Sequence, residues 1–454
     1  MSRKVGGREA TTGVIPGEIC LSVGKPDRPT PEGWRWVPLL DVARLESGHT
    51  PSRRKPEYWG GEVPWIGIKD ATGNHGRTIC ETIQHTNEMG IKNSAARILP
   101  ANTVCLSRTA SVGYVVVMGK PMATSQDFAN WVCGPALDHR FLKYALLADN
   151  KALHRFSYGS THQTIYFPEL KAFHVCMPEV DEQAQIASIL GALDDKIELN
   201  RRMAATLEEM ARALYRSWFV HFDPVKAKAE GLAPAFMDEA TAALLPDRFG
   251  DDGLPEGWRR GRLSDVAINP RTGVKPEQID PSTPYIGLEH MPRRSIRLGD
   301  WGTAEDVGSQ KSAMRRGDFL FGKLRPYFHK VGISPVDGIC STDIIVVRPK
   351  APEWASFVLS VISSDDFVEH TNAGSSGTRM PRTSWGEMGR YEVVIPPAPV
   401  AAAFEAALSS MRDRIVAGVH EARNLAEFRD ALLPKLMSGE IRVGTIENQI
   451  EAVA

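Results

Sequence analysis

The stretch Glu179 to His221, EVDEQAQIASILGALDDKIELNRRMAATLEEMARALYRSWFVH, decides the architecture. From Gln183 it keeps a 3,4 spacing of mostly apolar residues through Ile186, Leu190, Leu193, Ile197, Asn200, Ala204, Leu207, Ala211, Leu214 and Trp218. That spacing is a heptad seam, the pattern of a helix that packs along its length against another helix. Gly191 alone interrupts it, and Pro224 stands just beyond His221 to stop it. At 1.5 Å per residue the part from Gln183 to His221 alone would be about 55–60 Å long, too long to be wrapped inside one small globule. It needs a partner of similar length.

The partner lies 218 residues further on, where Phe404, Leu408, Met411, Ile415, Gly418, Ala422, Leu425, Arg429, Leu432 and Leu436 repeat the spacing. Gly418 and Arg429 depart from it, and small or polar residues at such positions fix register at some cost in stability. The same offset, between 215 and 224 residues, recurs outside the helices. Pro31-Glu32-Gly33-Trp34 returns as Pro255-Glu256-Gly257-Trp258, and Pro64-Trp65-Ile66-Gly67-Ile68 as Pro284-Tyr285-Ile286-Gly287-Leu288. Val175-Cys176-Met177-Pro178 and Val393-Val394-Ile395-Pro396 each lead into a long helix. The chain is therefore an internal duplication.

Its segments read as an extension over 1–30, loosely held because Gly, Pro, Thr and charge there lack periodicity; a first lobe over 31–178; a long helix over 179–221; and a linker over 222–254. A second lobe over 255–396, a second long helix over 397–438 and a C-terminal tail over 439–454 complete it. Short apolar runs punctuated by Gly and Pro make each lobe an irregular α/β domain. The fold class is α+β, with two such domains separated by two long helices that form an antiparallel coiled coil, as a pseudo-twofold internal repeat.

A length of 454 residues fits two domains plus extended elements. The formal charge of −1 gives no sign of an acidic partner, but residues 31–178 carry +4 and residues 255–396 carry +2, while the remainder sums to −7. Two mildly basic lobes are hidden by acidic helices and linkers. The six cysteines never come within 24 residues of each other, so no zinc-ligand spacing is present. No apolar run approaches a membrane span, and the expectation is a cytoplasmic protein with reduced thiols. A phosphate-cradling loop, a zinc-protease helix and a nucleophile elbow are all missing from the sequence. Asn269-Pro270-Arg271 lacks the aromatic that follows in amino-methyltransferases and reads as a turn, and Asp343 in its apolar run reads as structural. Duplex DNA has local twofold symmetry, and a pseudo-twofold chain could set two different readers on it at a spacing fixed by a rod.

These features together resemble the specificity subunits of type I restriction-modification enzymes over residues 31 to about 440. The resemblance rests on the paired Pro-Glu-Gly-Trp openings, Thr50-Pro51-Ser52 with Pro56-Glu57-Tyr58-Trp59-Gly60-Gly61, and Glu182-Gln183-Ala184-Gln185-Ile186-Ala187. Leu193-Asp194-Asp195-Lys196-Ile197, Leu214-Tyr215-Arg216-Ser217-Trp218-Phe219 and the ending Leu432-Leu433-Pro434-Lys435-Leu436-Met437-Ser438-Gly439-Glu440-Ile441 add to it. The second helix departs, opening with Val400-Ala401-Ala402-Ala403-Phe404 in place of Glu-Gln-x-x-Ile. The resemblance implies a non-catalytic subunit that binds a bipartite site in double-stranded DNA, one lobe per half-site. It also implies two methyltransferase subunits docked on the coiled coil and translocase-nuclease subunits beyond them. The partners would hold S-adenosylmethionine, ATP and Mg, and this chain would bind no cofactor, no metal and no membrane. The alternative is a coiled-coil scaffold without DNA contact.

Candidate DNA contacts follow from chemistry, since Arg pairs bidentately with guanine and Gln with adenine. In lobe one they are Ser52, Arg53, Arg54, Lys69, Arg108, Ser160, Thr161 and Gln163. In lobe two they are Arg271, Thr272, Lys323, Arg325, Tyr327, Ser376, Thr378 and Arg379.

Overall fold

The structure is a computed structural model that describes residues 13–159, 163–375 and 380–443. The chain divides into two compact units. One joins the residues up to Asp194 with those from Glu427 onward, and the other runs from Asp195 to Ala426. Each unit holds one lobe and a part of each long helix.

In the first unit, Phe128–Cys133 lies between Ala43–Ser47 and Val104–Ser107 in a five-stranded sheet that continues through Val115–Met118 to Thr78–Ile79. A second sheet runs Ile15–Pro16, Leu21–Val23, Phe173–Met177, Arg35–Pro38. Trp131 stacks on Phe173 at 5.9 Å, and both are fully buried in the core that also takes in the helix His139–Ala148. The expected loose N-terminal extension is corrected for its described part. Ile15–Pro16 and Leu21–Val23 are strands of a sheet, and the Asp149 carboxylate accepts backbone N–H bonds from Glu18 (2.6 Å), Ile19 (2.9 Å), Cys20 (2.7 Å) and Leu21 (2.7 Å). One distant carboxylate supplies the order that periodicity did not announce.

The second unit builds the same ladder. Phe319–Gly322 pairs with Ile344–Pro349 in the register Phe319↔Val347, matching Val104↔Trp131 in the first unit. Val331–Ile333 flanks it as Val115–Met118 flanks Val104–Ser107. The linker packs on this unit through Phe222 and Phe249, with Phe222 against Trp258 at 5.7 Å. It contains two short helices, Asp223–Ala229 and Glu239–Ala243, the latter capped by Asp238 on the Thr241 N–H.

The first long helix is Val180–Tyr215. A π turn over Arg216–Val220 and a left-handed Phe222 (φ 57°) end it before Pro224. The second long helix is Ala398–Met437, with Pro434 inside its last turn. Within the second unit the two run antiparallel. Trp218 meets Phe404 at 5.4 Å, Lys196 pairs with Glu421 at 3.2 Å, and Asn200 faces Gly418. Of the seam, Ile186, Leu190, Phe404, Leu408 and Ile415 are buried, and Leu193, Ile197, Leu207, Leu214, Met411, Leu425 and Leu432 are half-buried. A buried aliphatic side chain contributes about 1.5–3 kcal/mol, against about 0.5–1.5 kcal/mol for a net hydrogen bond, so the apolar seam holds the helices together and the polar pairs select the register.

Other polar side chains anchor each helix to its lobe. In the first unit Gln183 is fully buried, accepts the Asp138 N–H (3.0 Å) and donates to the Pro178 (2.9 Å) and Ala136 (3.2 Å) carbonyls. Further along, Asp194 accepts from Tyr144 (2.7 Å), Lys143 (3.1 Å) and Arg429 (2.7 Å). In the second unit, where the Glu-Gln opening is lacking, Glu405 takes the anchoring role by accepting the Ser356 N–H (2.8 Å) and pairing with Arg412 (2.8 Å).

Burial disfavours the Asp194 charge, but Lys143, Tyr144 and Arg429 outweigh it and hold its carboxyl below the ordinary value. A depressed carboxyl contributes stability that is present above its unfolded value and lost as pH falls through the folded one. Asp194→Asn should therefore cost about 1–3 kcal/mol near neutral pH in urea unfolding of the full chain, with the difference from wild type closing below about pH 4. A cost independent of pH would show that the charge is not what matters.

Candidate nucleic-acid interface

Both lobes carry one polar locus built on the same backbone bonds. In lobe one a Ser125-Gln126-Asp127 turn leads into the core strand Phe128–Cys133. The Ser125 N–H donates to the Ile66 carbonyl (3.0 Å) and the Phe128 N–H to the Ser125 carbonyl (3.3 Å). In lobe two Ser341-Thr342-Asp343 does the same before Ile344–Pro349, with Ser341 to Ile286 at 2.9 Å and Ile344 to Ser341 at 2.9 Å. The segment that leaves the neighbouring strand then docks on each turn. The Arg108 N–H donates to the Asp127 carbonyl (2.7 Å), and the Lys323 N–H to the Asp343 carbonyl (2.9 Å).

A third segment closes each locus. Ile165 N–H donates to the Arg108 carbonyl (2.8 Å) and Ala110 N–H to the Gln163 carbonyl (3.0 Å). In lobe two Thr383 N–H donates to Lys323 (3.0 Å) and Arg325 N–H to Pro381 (2.8 Å). Thr109 bridges Thr164, and Leu324 bridges Arg382. Even the strained residue is duplicated, Ala110 at φ 62° and Arg325 at φ 51°. Non-glycine residues enter this left-handed region rarely, and such strain persists where the surroundings impose it, often at functional sites. The framework is shared while the side chains it presents differ.

In lobe one that side-chain surface is continuous. Thr50 donates to Gln126 Oε1 (2.5 Å), and the Arg108 guanidinium donates to the Gln126 carbonyl (2.9 Å) while lying over the Phe167 ring at 4.9 Å. Arg108 is half-buried, and that burial pulls its guanidinium below the ordinary value. Gln163 is exposed, with Oε1 3.3 Å from His154 Nδ1. Arg53 lies over Trp59 (5.0 Å) and Trp65 (5.3 Å) and reaches Gln84 Oε1 at 3.2 Å, while Trp65 Nε1 donates to the His49 carbonyl. Ser52 and Arg54 stand exposed on the same turn as Arg53, and Lys69 is exposed at the start of the helix Ile68–Gly73.

In lobe two, half-buried Lys323 and Arg325 precede the short helical turn Pro326–Phe328, whose Tyr327 is 50 % exposed. Arg293 and Arg325 lie over the Phe328 ring at 3.9 and 5.8 Å, and Arg382 approaches Asp343 at 3.8 Å. Arg271, left-handed at φ 49°, and Thr272 are exposed beside the edge strand Gly273–Val274, apart from the Lys323–Tyr327 turn in the chain but in the same unit. Ser160, Thr161, Ser376, Thr378 and Arg379 lie outside the described residues.

Sequence reasoning passed over Trp59, Gln84, Gln126, Arg293 and Arg382. Trp59 was within reach of it, because an aromatic next to Arg53-Arg54 is the usual make-up of a nucleic-acid surface. Gln126 and Arg382 come from segments that only tertiary structure brings together. Among the described residues, no helix is long and apolar enough to cross a membrane, and no group of His, Cys, Asp or Glu is arranged to hold a metal ion.

Comparison with known proteins agrees with this organisation. Residues 31–209 match the model of the type I restriction modification DNA specificity domain. The type I restriction enzyme MjaIX specificity subunit of Methanocaldococcus jannaschii is 25% identical over 431 residues, 91% of this chain and 94% of that protein. The HindI specificity subunit of Haemophilus influenzae is 24% identical over 351 residues, 66% of this chain and 76% of that protein. In fold, the crystal structure of a type I restriction-modification system S subunit from M. genitalium superposes with a TM-score of 0.55 at 15% identity, covering 89% of this chain and 96% of that one.

The geometry separates two kinds of arginine in lobe one. Arg108→Met should cost about 1–2 kcal/mol in urea unfolding, because the guanidinium holds the Gln126 turn and packs on Phe167. Arg54→Ala should stay within about 0.5 kcal/mol of wild type. Equal effects would contradict the assignment of Arg108 to the framework.

Proposed function

We propose that this chain, which belongs with the specificity subunits of type I restriction-modification enzymes, reads a bipartite sequence in double-stranded DNA with one lobe per half-site. The duplicated locus carries this reading. Five backbone bonds and a left-handed residue recur, while exposed Gln126 and Gln163 in lobe one stand where Thr342 and Pro381 stand in lobe two, and buried Thr164 stands where Arg382 is exposed. A common scaffold that presents different donors and acceptors, Gln126 and Gln163 in one lobe and Thr342 and Arg382 in the other, suits two different half-sites, because base edges are discriminated by the donors and acceptors offered to them. The remaining cations, Arg54 and Lys69 among them, suit phosphate contacts that orient the duplex without reading it.

On this reading the chain is not itself an enzyme. The two antiparallel helices set the gap between half-sites and seat two methyltransferase subunits, which bring S-adenosylmethionine for N6-adenine methylation. Translocase-nuclease subunits add cleavage that depends on ATP and Mg, and the assembly works in the cytoplasm. The helix seams and the family resemblance support this division of labour.

The test is single-molecule sequencing of adenine methylation in DNA from cells that co-express the chain with its methyltransferase. The expected result is a bipartite methylated motif, of which one half changes when residues 31–178 are exchanged for those of a relative. An assembled, active complex that methylates without sequence preference, or whose motif ignores the exchange, would overturn the reading in favour of a scaffold without DNA contact.

A further inference from the structure

Glu208 sits on the first long helix next to the seam residue Leu207, yet its side chain is only 5 % exposed. Its carboxylate accepts the Ile296 N–H (2.9 Å), the Ser295 hydroxyl (3.0 Å) and the Arg212 guanidinium (2.5 Å). Arg212 also donates to the Arg294 carbonyl (3.2 Å). The helix therefore grips the segment 294–296 of lobe two by its backbone. Burial pushes the Glu208 carboxyl above its ordinary value, so the position carries a cost that an apolar residue would avoid.

The gripped segment leads directly to the turn that bears Arg325 and Tyr327. Arg294 is left-handed (φ 56°), and its N–H donates to the His329 carbonyl (2.8 Å). His329 is left-handed too (φ 50°), with its ring buried and Nε2–H donating to the Ser363 carbonyl (3.0 Å). Arg325 (φ 51°) closes the other side of Pro326–Phe328. Three non-glycine residues in a rarely populated conformation thus surround one exposed turn, and such strain is kept only where neighbours over-determine it. Glu208 supplies the helix end of that chain of bonds.

We propose that Glu208 is a positioning residue for the Arg325–Phe328 turn, so that discrimination by lobe two is set in part from the first long helix. This rests on the DNA-reading function proposed above. A site held loosely by its supporting residues loses selectivity before it loses binding.

The experiment uses the full chain in complex with its methyltransferase, and compares methylation rates on the cognate duplex and on duplexes with a single base change in one half-site or the other. For Glu208→Ala the preference for cognate over lobe-two-mismatched duplex should fall roughly tenfold, with the lobe-one preference unchanged. Glu208→Gln, which keeps an acceptor for one N–H, should fall between that variant and wild type, and Ser295→Ala should move in the same direction. In hydrogen exchange, amides of residues 327–329 should speed up in these variants while those of residues 31–159 do not.

A parallel fall in both preferences, or unchanged preferences with unchanged exchange at 327–329, would overturn the proposal. If Glu208→Ala does not fold, the Gln and Ser295 variants carry the same comparison. A wild-type complex that discriminates at neither half-site would sink the DNA reading, whereas the exchange measurement would still decide whether Glu208 holds the turn.

Discussion

Everything in this chain depends on burying one stripe of side chains. A helix of 36 residues with a heptad seam cannot cover that seam within its own lobe, and a second helix of 40 residues, running antiparallel to it, does so instead. Because the seam is apolar it supplies energy without much choice of alignment, and a slip by one heptad would cost little in burial alone. Choice comes from polar exceptions. Asn200 faces Gly418, and Asp194 meets Arg429 beside Lys143 and Tyr144. A half-buried carboxylate that takes one of its three donors from the second helix favours one alignment, since any other removes Arg429 from it.

Duplication then separates what must be kept from what can vary. The ladder Val104↔Trp131 and its counterpart Phe319↔Val347 keep register because one step of slippage would turn a buried face outward. The turns Ser125–Asp127 and Ser341–Asp343 and the strained positions Ala110 and Arg325 are kept because backbone bonds define them. Side chains that leave this framework are free of both constraints. Gln163 faces solvent in one lobe where Pro381 stands in the other, and exposed Gln126 gives way to exposed Thr342. A scaffold of this kind lets the side chains it presents change without refolding the lobe.

The helices were legible in the sequence because periodicity and length are local properties, and the repeat because its landmarks return at a near-constant offset. The order of residues 15–23 was not, since it comes from Asp149, well over 100 positions away in the chain. The candidate site was legible as two regions and not as two surfaces. Arg53 and Arg325 could be picked out as cations in polar loops, but the half-burial of Arg108 and the meeting of Gln126 with Thr50 follow from strand pairing between distant segments. Glu208 was passed over for a related reason, because a glutamate beside a seam position looks like any solvated helix residue until Ser295 and Ile296 are folded onto it.

We propose that the paired helices act as a spacer between two readers. Inserting one heptad into each long helix, at register-matched positions, and mapping the methylated motif of the resulting complex tests it most directly. Seven residues add about 10 Å of rod, close to three base pairs of duplex at 3.4 Å each, so the account predicts the same two half-sites separated by a gap longer by about three base pairs. An assembled, active complex with an unchanged gap would contradict it.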